Sequence, residues 1–277
     1  MVSAVALFSL MDAQLKLLAE HYPPLQVAFL RGLLSVPFVV GPVLLRGHLA
    51  RLKPVNVPLH LVRGAMAVVM LTAFVYAVRA TSITATYSIF MCAPLVVAAL
   101  AVPMLGEKVA RAQWIAIGVG LAGVLLMLRP ADSQWGLAGT LAALVAVAMY
   151  ALSVFTLRRL AQTDTTESMV FSFAVLLSVG AGLLAIPGWV PLQLSDWPYM
   201  LGVGLTGAIA QGLITTAFRH APASVITPFE YTALVWGVIL DLVIWHVLPS
   251  GVTLVGGSVV IGAGLYIIHR ERTQAVK

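Results

Sequence analysis

The chain is a succession of apolar runs, each about as long as a helix needs to be to cross a lipid bilayer, with short breaks between them. A hydrocarbon core of about 30 Å requires about 20 mostly apolar residues per helix. Ten runs meet that measure, at 2–18, 27–45, 58–78, 84–104, 112–128, 137–157, 168–187, 197–217, 225–246 and 251–268. The breaks carry turn chemistry, as in "HYPP", "RLKPVNVP", "GEKVAR", "RPADSQWG" and "LPSG". Charged residues make up 9% of the 277 and hydrophobic ones 61%, against roughly 25% charged in an ordinary soluble domain. An all-α polytopic membrane protein is the class this leaves. The runs lack the alternation of period two that a membrane barrel requires. The first run has no basic lead, carries Asp12 and Lys16, and is followed by a second run, so it reads as a first helix and not as a secretory signal. With one cysteine, Cys92, no internal disulfide can form.

Charge sets the expected orientation. Lys and Arg favour the cytoplasmic side in short loops, and with the N-terminus inside, eleven of them fall on that side (among them Arg46, Lys53, Lys108, Arg158 and Arg270) against Arg79 and Arg129 opposite. Both termini are therefore expected in the cytoplasm, and the protein in the cell inner (plasma) membrane. The net charge of +6 is spread among these loops and builds no basic face, so a nucleic-acid partner is not expected.

The chain also hints at duplication. "YAVRATSITATYSIF" (76–90) aligns with "TAFRHAPASVITPFE" (216–230) through Ala77/Ala217 and Arg79/Arg219, and "AGVLLMLR" (122–129) matches "AGLYIIHR" (263–270) at three of eight positions. Repeats of five helices, over 1–130 and 131–277, would insert in opposite senses because five is odd. Transporters with such inverted repeats hold their ligand near mid-membrane between the halves.

Three segments carry a family resemblance: "MDAQLKLLAEHYPPLQVAFLRGLL" (11–34), "APLVVAALAVPMLGEKV" (93–109) and "ASVITPFEYTALVWGVIL" (223–240). They resemble the EamA type of the drug/metabolite transporter superfamily, over nearly the whole chain. The resemblance implies ten helices in two inverted five-helix repeats around a central cavity. It further implies secondary transport of a small metabolite, such as an amino acid, an amine or a related compound, commonly outward and by alternating access. The second half reads "HVLPSG" where the family commonly has another Gly-Glu.

Polar residues inside apolar runs are the candidate site, since a charge at the bilayer centre costs about 2.5–3.5 kcal/mol on insertion scales and needs a partner, a proton or water. Glu230, within "VITPFEYTALVW", is the leading candidate: a cavity carboxylate for an amine or a proton, or else a hydrogen-bonded acid that fixes its helix after Pro228. Asp241, eleven residues and close to three helical turns on, shares its face and would sit nearer the outer end, solvated. Ser9, Asp12 and Lys16 fall on one face of the first run, where Asp12 and Lys16 can pair; Asp12 is a substrate candidate, whereas Lys16 can snorkel. Arg31 reads as architectural, and Arg63 as a snorkelling residue or an inner gate. Tyr87 and Met91, one turn apart, are cavity candidates together with Tyr150, Tyr231 and Gln211; interface anchoring and helix–helix hydrogen bonding are the plainer readings of the tyrosines and of Gln211. Small-residue stripes, "GVGLAG" (118–123) and "GGSVVIGAG" (256–264), suit close helix packing or a dimer face, leaving monomer and homodimer both open.

An intramembrane enzyme acting on a lipid or small molecule is the alternative class. No H-E-x-x-H or other metal-ligand pattern appears, and no run offers a serine an obvious histidine base. No cofactor and no metal is expected. The expected partners are the bilayer, a small-molecule substrate and, as a candidate coupling ion, the proton.

Overall fold

A computed structural model describes residues 1–93, 96–97, 100, 114–115, 118–119, 122–123, 136–220, 229–230, 232–248 and 250–275. Among the described residues every regular element is helical: α1 (Val2–His21), α2 (Pro24–Leu45), α3 (Val57–Ala80), α4 (Ile83–Phe90), α5 (Leu137–Leu160), α6 (Thr166–Ala185), α7 (Trp197–His220), α8 (Thr232–Trp245) and α9 (Gly251–Ala275). Short 3-10 turns lie at Leu49–Leu52, Ile186–Gly188 and Leu194–Asp196. Six of the helical stretches are long and apolar enough to cross a membrane, those of α1, α2, α3, α5, α6 and α7. The fifth apolar run of the sequence lies largely outside the described residues.

Local chemistry explains where the helices begin. Pro24 occupies the first position of α2, where its missing N–H costs nothing, so the helix starts earlier than the proline break suggests. The Asn56 side chain caps α3 by accepting from Leu59 N–H at 3.3 Å, and Ser82 caps α4 by accepting from Ala85 N–H at 3.0 Å. Thr165 caps α6 in the same way through Ser168 N–H, at 3.1 Å. In the ninth run the described residues are Phe229 and Glu230, in a 3-10 turn, and the α-helix Thr232–Trp245.

The two halves interleave. Helix α2 packs against α6 and α7, α3 against α5 and α6, α1 against α7 and α8, and α4 against α8 and α5. In lipid, close backbone approach substitutes for the hydrophobic drive between helices. Two glycines make that approach possible: a Cβ on Gly32 would lie 2.7 Å from the Ser178 backbone nitrogen, and one on Gly204 would run into the Leu34 carbonyl oxygen. Large apolar side chains such as Leu33, Leu61, Val69, Leu141, Leu183 and Leu205 stand exposed on the outside of the bundle, as a surface solvated by acyl chains requires.

Candidate functional site

Side chains from α1 to α8 enclose a cavity of about 170 Å³, smaller than the roughly 300–1,000 Å³ of sites for drug-sized ligands. Its wall is mostly aromatic and thioether: Phe8, Met70, Phe74, Phe90, Met91 and Phe173. Four ionisable side chains interrupt it, Asp12 and Glu230 with Arg31 and Arg63, together with Tyr87, Tyr150, Ser153 and Gln211. The lining positions lie in the first half of α1 (Val5 to Asp12) and in the second halves of α5 (Tyr150 to Leu157) and α7 (Gln211 to Phe218), and Met1 also borders the space. The cavity therefore extends toward the end of the bundle that carries Met1.

Each acid in the wall is held by a phenol from a different helix. Tyr87 donates to Asp12 Oδ2 at 2.6 Å, and Tyr150 donates to Glu230 Oε1 at 2.6 Å. These distances sit at the short end for O–H donors, in the range of charge-assisted bonds. The arginines are held differently. Arg31 Nε donates to the Met11 sulfur at 3.2 Å, and Arg63 Nη1 to the Met169 carbonyl at 3.2 Å. Both guanidinium carbons sit over the same ring, that of Phe173, at 5.4 Å and 5.0 Å from its centre.

Toward the other end of the bundle, apart from the cavity, lies a second cluster. Asp241 accepts from the backbone N–H groups of Ile83 at 3.2 Å and Thr84 at 2.6 Å, the first turn of α4, where a helix terminus favours an anion. Lys16 Nζ lies 4.0 Å from Asp241 Oδ1, donates to the Thr81 carbonyl at 3.0 Å and sits 4.6 Å from the centre of the Trp245 ring. This corrects two expectations. Lys16 pairs with Asp241 across helices and Asp12 with Tyr87, so the intrahelical Asp12–Lys16 pair does not form; a local partner loses to donors that tertiary packing brings closer. Asp241 is 2% exposed and borders α4 instead of the cavity. Glu230 borders the cavity, whereas Asp241 is taken up by the first turn of α4.

Two histidine–aspartate clasps stand at opposite ends of the bundle. At the Met1 end, Asp164, beyond the last turn of α5, accepts from His60 Nε2 at 2.9 Å, Val55 N–H at 2.7 Å and Thr163 Oγ1 at 2.7 Å. Burial would raise its pKa, but these donors, His60 first, outweigh burial and hold it below the usual aspartate value of 3.8. At the other end Asp196, just before α7, meets His21 Nδ1 at 3.1 Å and accepts from Tyr22 Oη at 2.8 Å.

Of the sequence candidates, Asp12, Tyr87, Met91, Tyr150, Gln211 and Glu230 all border the cavity, and so do Arg31 and Arg63. Tyr231 lies outside the described residues. Lys16 and Asp241 are apart from the cavity. Phe173, which gathers both arginines, is not among the sequence candidates; it is one apolar residue in an apolar helix, and only the need of two intramembrane arginines for company points toward such a ring. Among the described residues no group of three His, Cys, Asp or Glu side chains is arranged to hold a metal ion.

The sequence model of the EamA-like transporter family matches the chain twice, over residues 1–129 and 137–270. The pseudopaline exporter of Pseudomonas aeruginosa is 27% identical over 271 residues, covering 96% of this chain and 93% of its own. An S-adenosylmethionine uptake transporter of Rickettsia bellii is 25% identical (94% and 89% covered), and a riboflavin transporter of Vibrio cholerae 28% identical (76% and 72% covered). A solved crystal structure with 19% sequence identity shares the fold, at a TM-score of 0.70 over 98% of each chain.

Proposed function

The chain belongs to the EamA-like transporter family, and from that premise we propose that it moves a small metabolite across the plasma membrane by alternating access around the Asp12–Glu230 cavity. It does so as an exporter that loads from the cytoplasm. The observation that carries this reading is the cavity itself: a mostly apolar chamber between the halves, with two acids each presented by a phenol. Such a chamber can hold a cationic or zwitterionic solute, or exchange a proton, without exposing charge to lipid.

Ten crossings in two oppositely inserted repeats, over 1–130 and 131–277, are part of the proposal. The twofold family match supports it, and so does the packing. If α1 to α4 correspond in order to α5 to α8, each cross-half contact has its exchanged counterpart: α1–α7 with α5–α3, α2–α7 with α6–α3, and α1–α8 with α5–α4. The α2–α6 and α4–α8 contacts are their own counterparts. The loop charges support a cytoplasmic Met1 end, which turns the cavity toward the cytoplasm and leaves the Lys16–Asp241 cluster at the far end. That state accepts solute from inside, which supports export.

The test is solute flux in proteoliposomes, with a compound found by screening metabolites for thermal stabilisation of the purified protein. Glu230→Gln should reduce flux about tenfold to a hundredfold, the worth of a charge-assisted contact of about 1.5–3 kcal/mol, while insertion and purification remain normal. Unchanged flux would retire Glu230 as the transport residue, and recovery of a chemically altered compound would point to an enzyme.

A further inference from the structure

The acids of the cavity already have donors, whereas the cations have no anionic hydrogen-bond acceptor among the described residues. Asp12 and Glu230 each take a phenol hydrogen bond. Arg31 and Arg63 are 4% and 2% exposed and make no ion pair among the described residues. Their hydrogen-bond acceptors among those residues are a thioether and a backbone carbonyl. One nitrogen of each, Arg31 Nη1 and Arg63 Nε, is fully buried with no hydrogen-bond partner. The shared Phe173 ring attracts both guanidiniums but accepts no conventional hydrogen bond. A guanidinium buried in apolar surroundings calls for an anion, and its fork of donors matches a carboxylate. Buried donors without acceptors in a folded protein call for an explanation, and two of them border the same cavity.

We propose that Arg31 and Arg63, gathered on the Phe173 ring, form a carboxylate-binding subsite, and that the transported metabolite carries a carboxylate that docks between them. The assignment rests on the cavity being the transport site, and it narrows the solute class. A simple amine leaves both guanidiniums unanswered. A carboxylate answers them, and a zwitterion also answers Asp12 and Glu230. The arginines, which the sequence offered as architectural or gating residues, are thereby substrate-binding groups.

The probe is 4-fluorobenzoate, an apolar carboxylate suited to the aromatic wall, with 4-fluorobenzamide as its uncharged counterpart. Fluorine NMR line broadening is measured on the full chain in a maltoside micelle and low-chloride buffer. The wild type should bind the benzoate at least about tenfold more tightly than the benzamide. Arg31→Gln and Arg63→Gln should each abolish that preference, and Lys53→Gln, a charge change on the exposed surface, should leave it intact. Equal binding of the two probes by the wild type, or binding of neither, overturns the subsite; so does a preference that survives Arg63→Gln. If the arginine variants fail to fold, the wild-type comparison decides alone. Flux separates this from the broader reading: a benzoate preference with Glu230→Gln flux unchanged sinks the role of Glu230 but keeps the subsite, and the reverse pattern sinks the subsite alone.

Discussion

Asp164→Asn is the perturbation whose size the structure fixes best. The carboxylate is 1% exposed and accepts from Val55 N–H, His60 Nε2 and Thr163 Oγ1 at 2.7–2.9 Å, with Asn56 N–H more distant at 3.4 Å. Asparagine keeps one acceptor oxygen, loses the charge and turns an N–H₂ group toward donors. Hydrogen bonds to charged groups contribute about 1.5–3 kcal/mol each, and breaking a buried charged cluster costs about 3–5 kcal/mol. Since one bond can survive, about 2–4 kcal/mol is expected, or a drop of about 4–16 °C in apparent Tm at roughly 2–4 °C per kcal/mol. Cys92 is the sole cysteine and is buried, so a thiol-reactive fluorophore reports unfolding directly at neutral pH. The pH arm uses tryptophan emission instead. Because the folded pKa of Asp164 lies below the ordinary 3.8, its contribution is present in full above about pH 4 and is lost as pH falls through the depressed value. The carboxylate's contribution to the gap between wild type and Asp164→Asn should thus persist from neutral pH to about pH 5 and vanish under stronger acid. Equal Tm values at pH 7.5, or a gap that widens in acid, would refute the account.

Two further outcomes are expected. Lys16→Met removes the pairing with Asp241 and the Thr81 contact, so Thr84→Cys in a Cys92→Ser background, buried in the parent, should react about tenfold faster with a water-soluble maleimide; an unchanged rate would mean this cluster does not close its end. Gly204→Ala drives a methyl group into the Leu34 carbonyl and should cost about 1–3 kcal/mol, whereas Gly212→Ala on the same helix meets nothing within 4 Å and should be neutral or slightly stabilising, both read by thermal unfolding.

The membrane class and the polar candidates could be read from the chain because both rest on composition: apolar runs of bilayer length, and the cost of polar groups within them. Which polar groups share a space could not. Spacing relates residues along one helix but says nothing of what packs against them: Glu230 borders the cavity, whereas Asp241, eleven residues on, is held by the first turn of α4. Partner choice escaped for a related reason. Lys16 has Asp12 four residues away, but Asp12 has Tyr87 at 2.6 Å from α4, and α8 brings Asp241 to Lys16. Arg31 reads as architectural and Arg63 as a residue able to snorkel or to gate; the structure places both guanidiniums over a ring on α6 that has no polar signature.

The proposed duplication also has a physical reason for leaving so faint a trace in the sequence. Between the first and fourth helices of each half there is one acid–phenol bond of 2.6 Å, yet the acid is on the first helix in one half (Asp12 to Tyr87) and at the start of the fourth in the other (Glu230 to Tyr150). The clasps are exchanged likewise: histidine at the start of α3 with aspartate after α5, and histidine at the end of α1 with aspartate before α7. A hydrogen bond has the same worth whichever side supplies the acid, so such contacts can persist while identities at matching positions diverge. The Lys16–Asp241 pair breaks the pattern. At the repeat spacing of about 140 its counterparts are Thr156 and Ala101, which carry no charge. If the halves exchange conformations during transport, the Lys16–Asp241 pair acts at one end of the bundle and has no charged equivalent at the matching sequence positions. Lys16→Met should then speed maleimide labelling of Thr84→Cys with no matching change at Thr156→Cys. Equal acceleration at both positions would mean the asymmetry in charge has no part in gating.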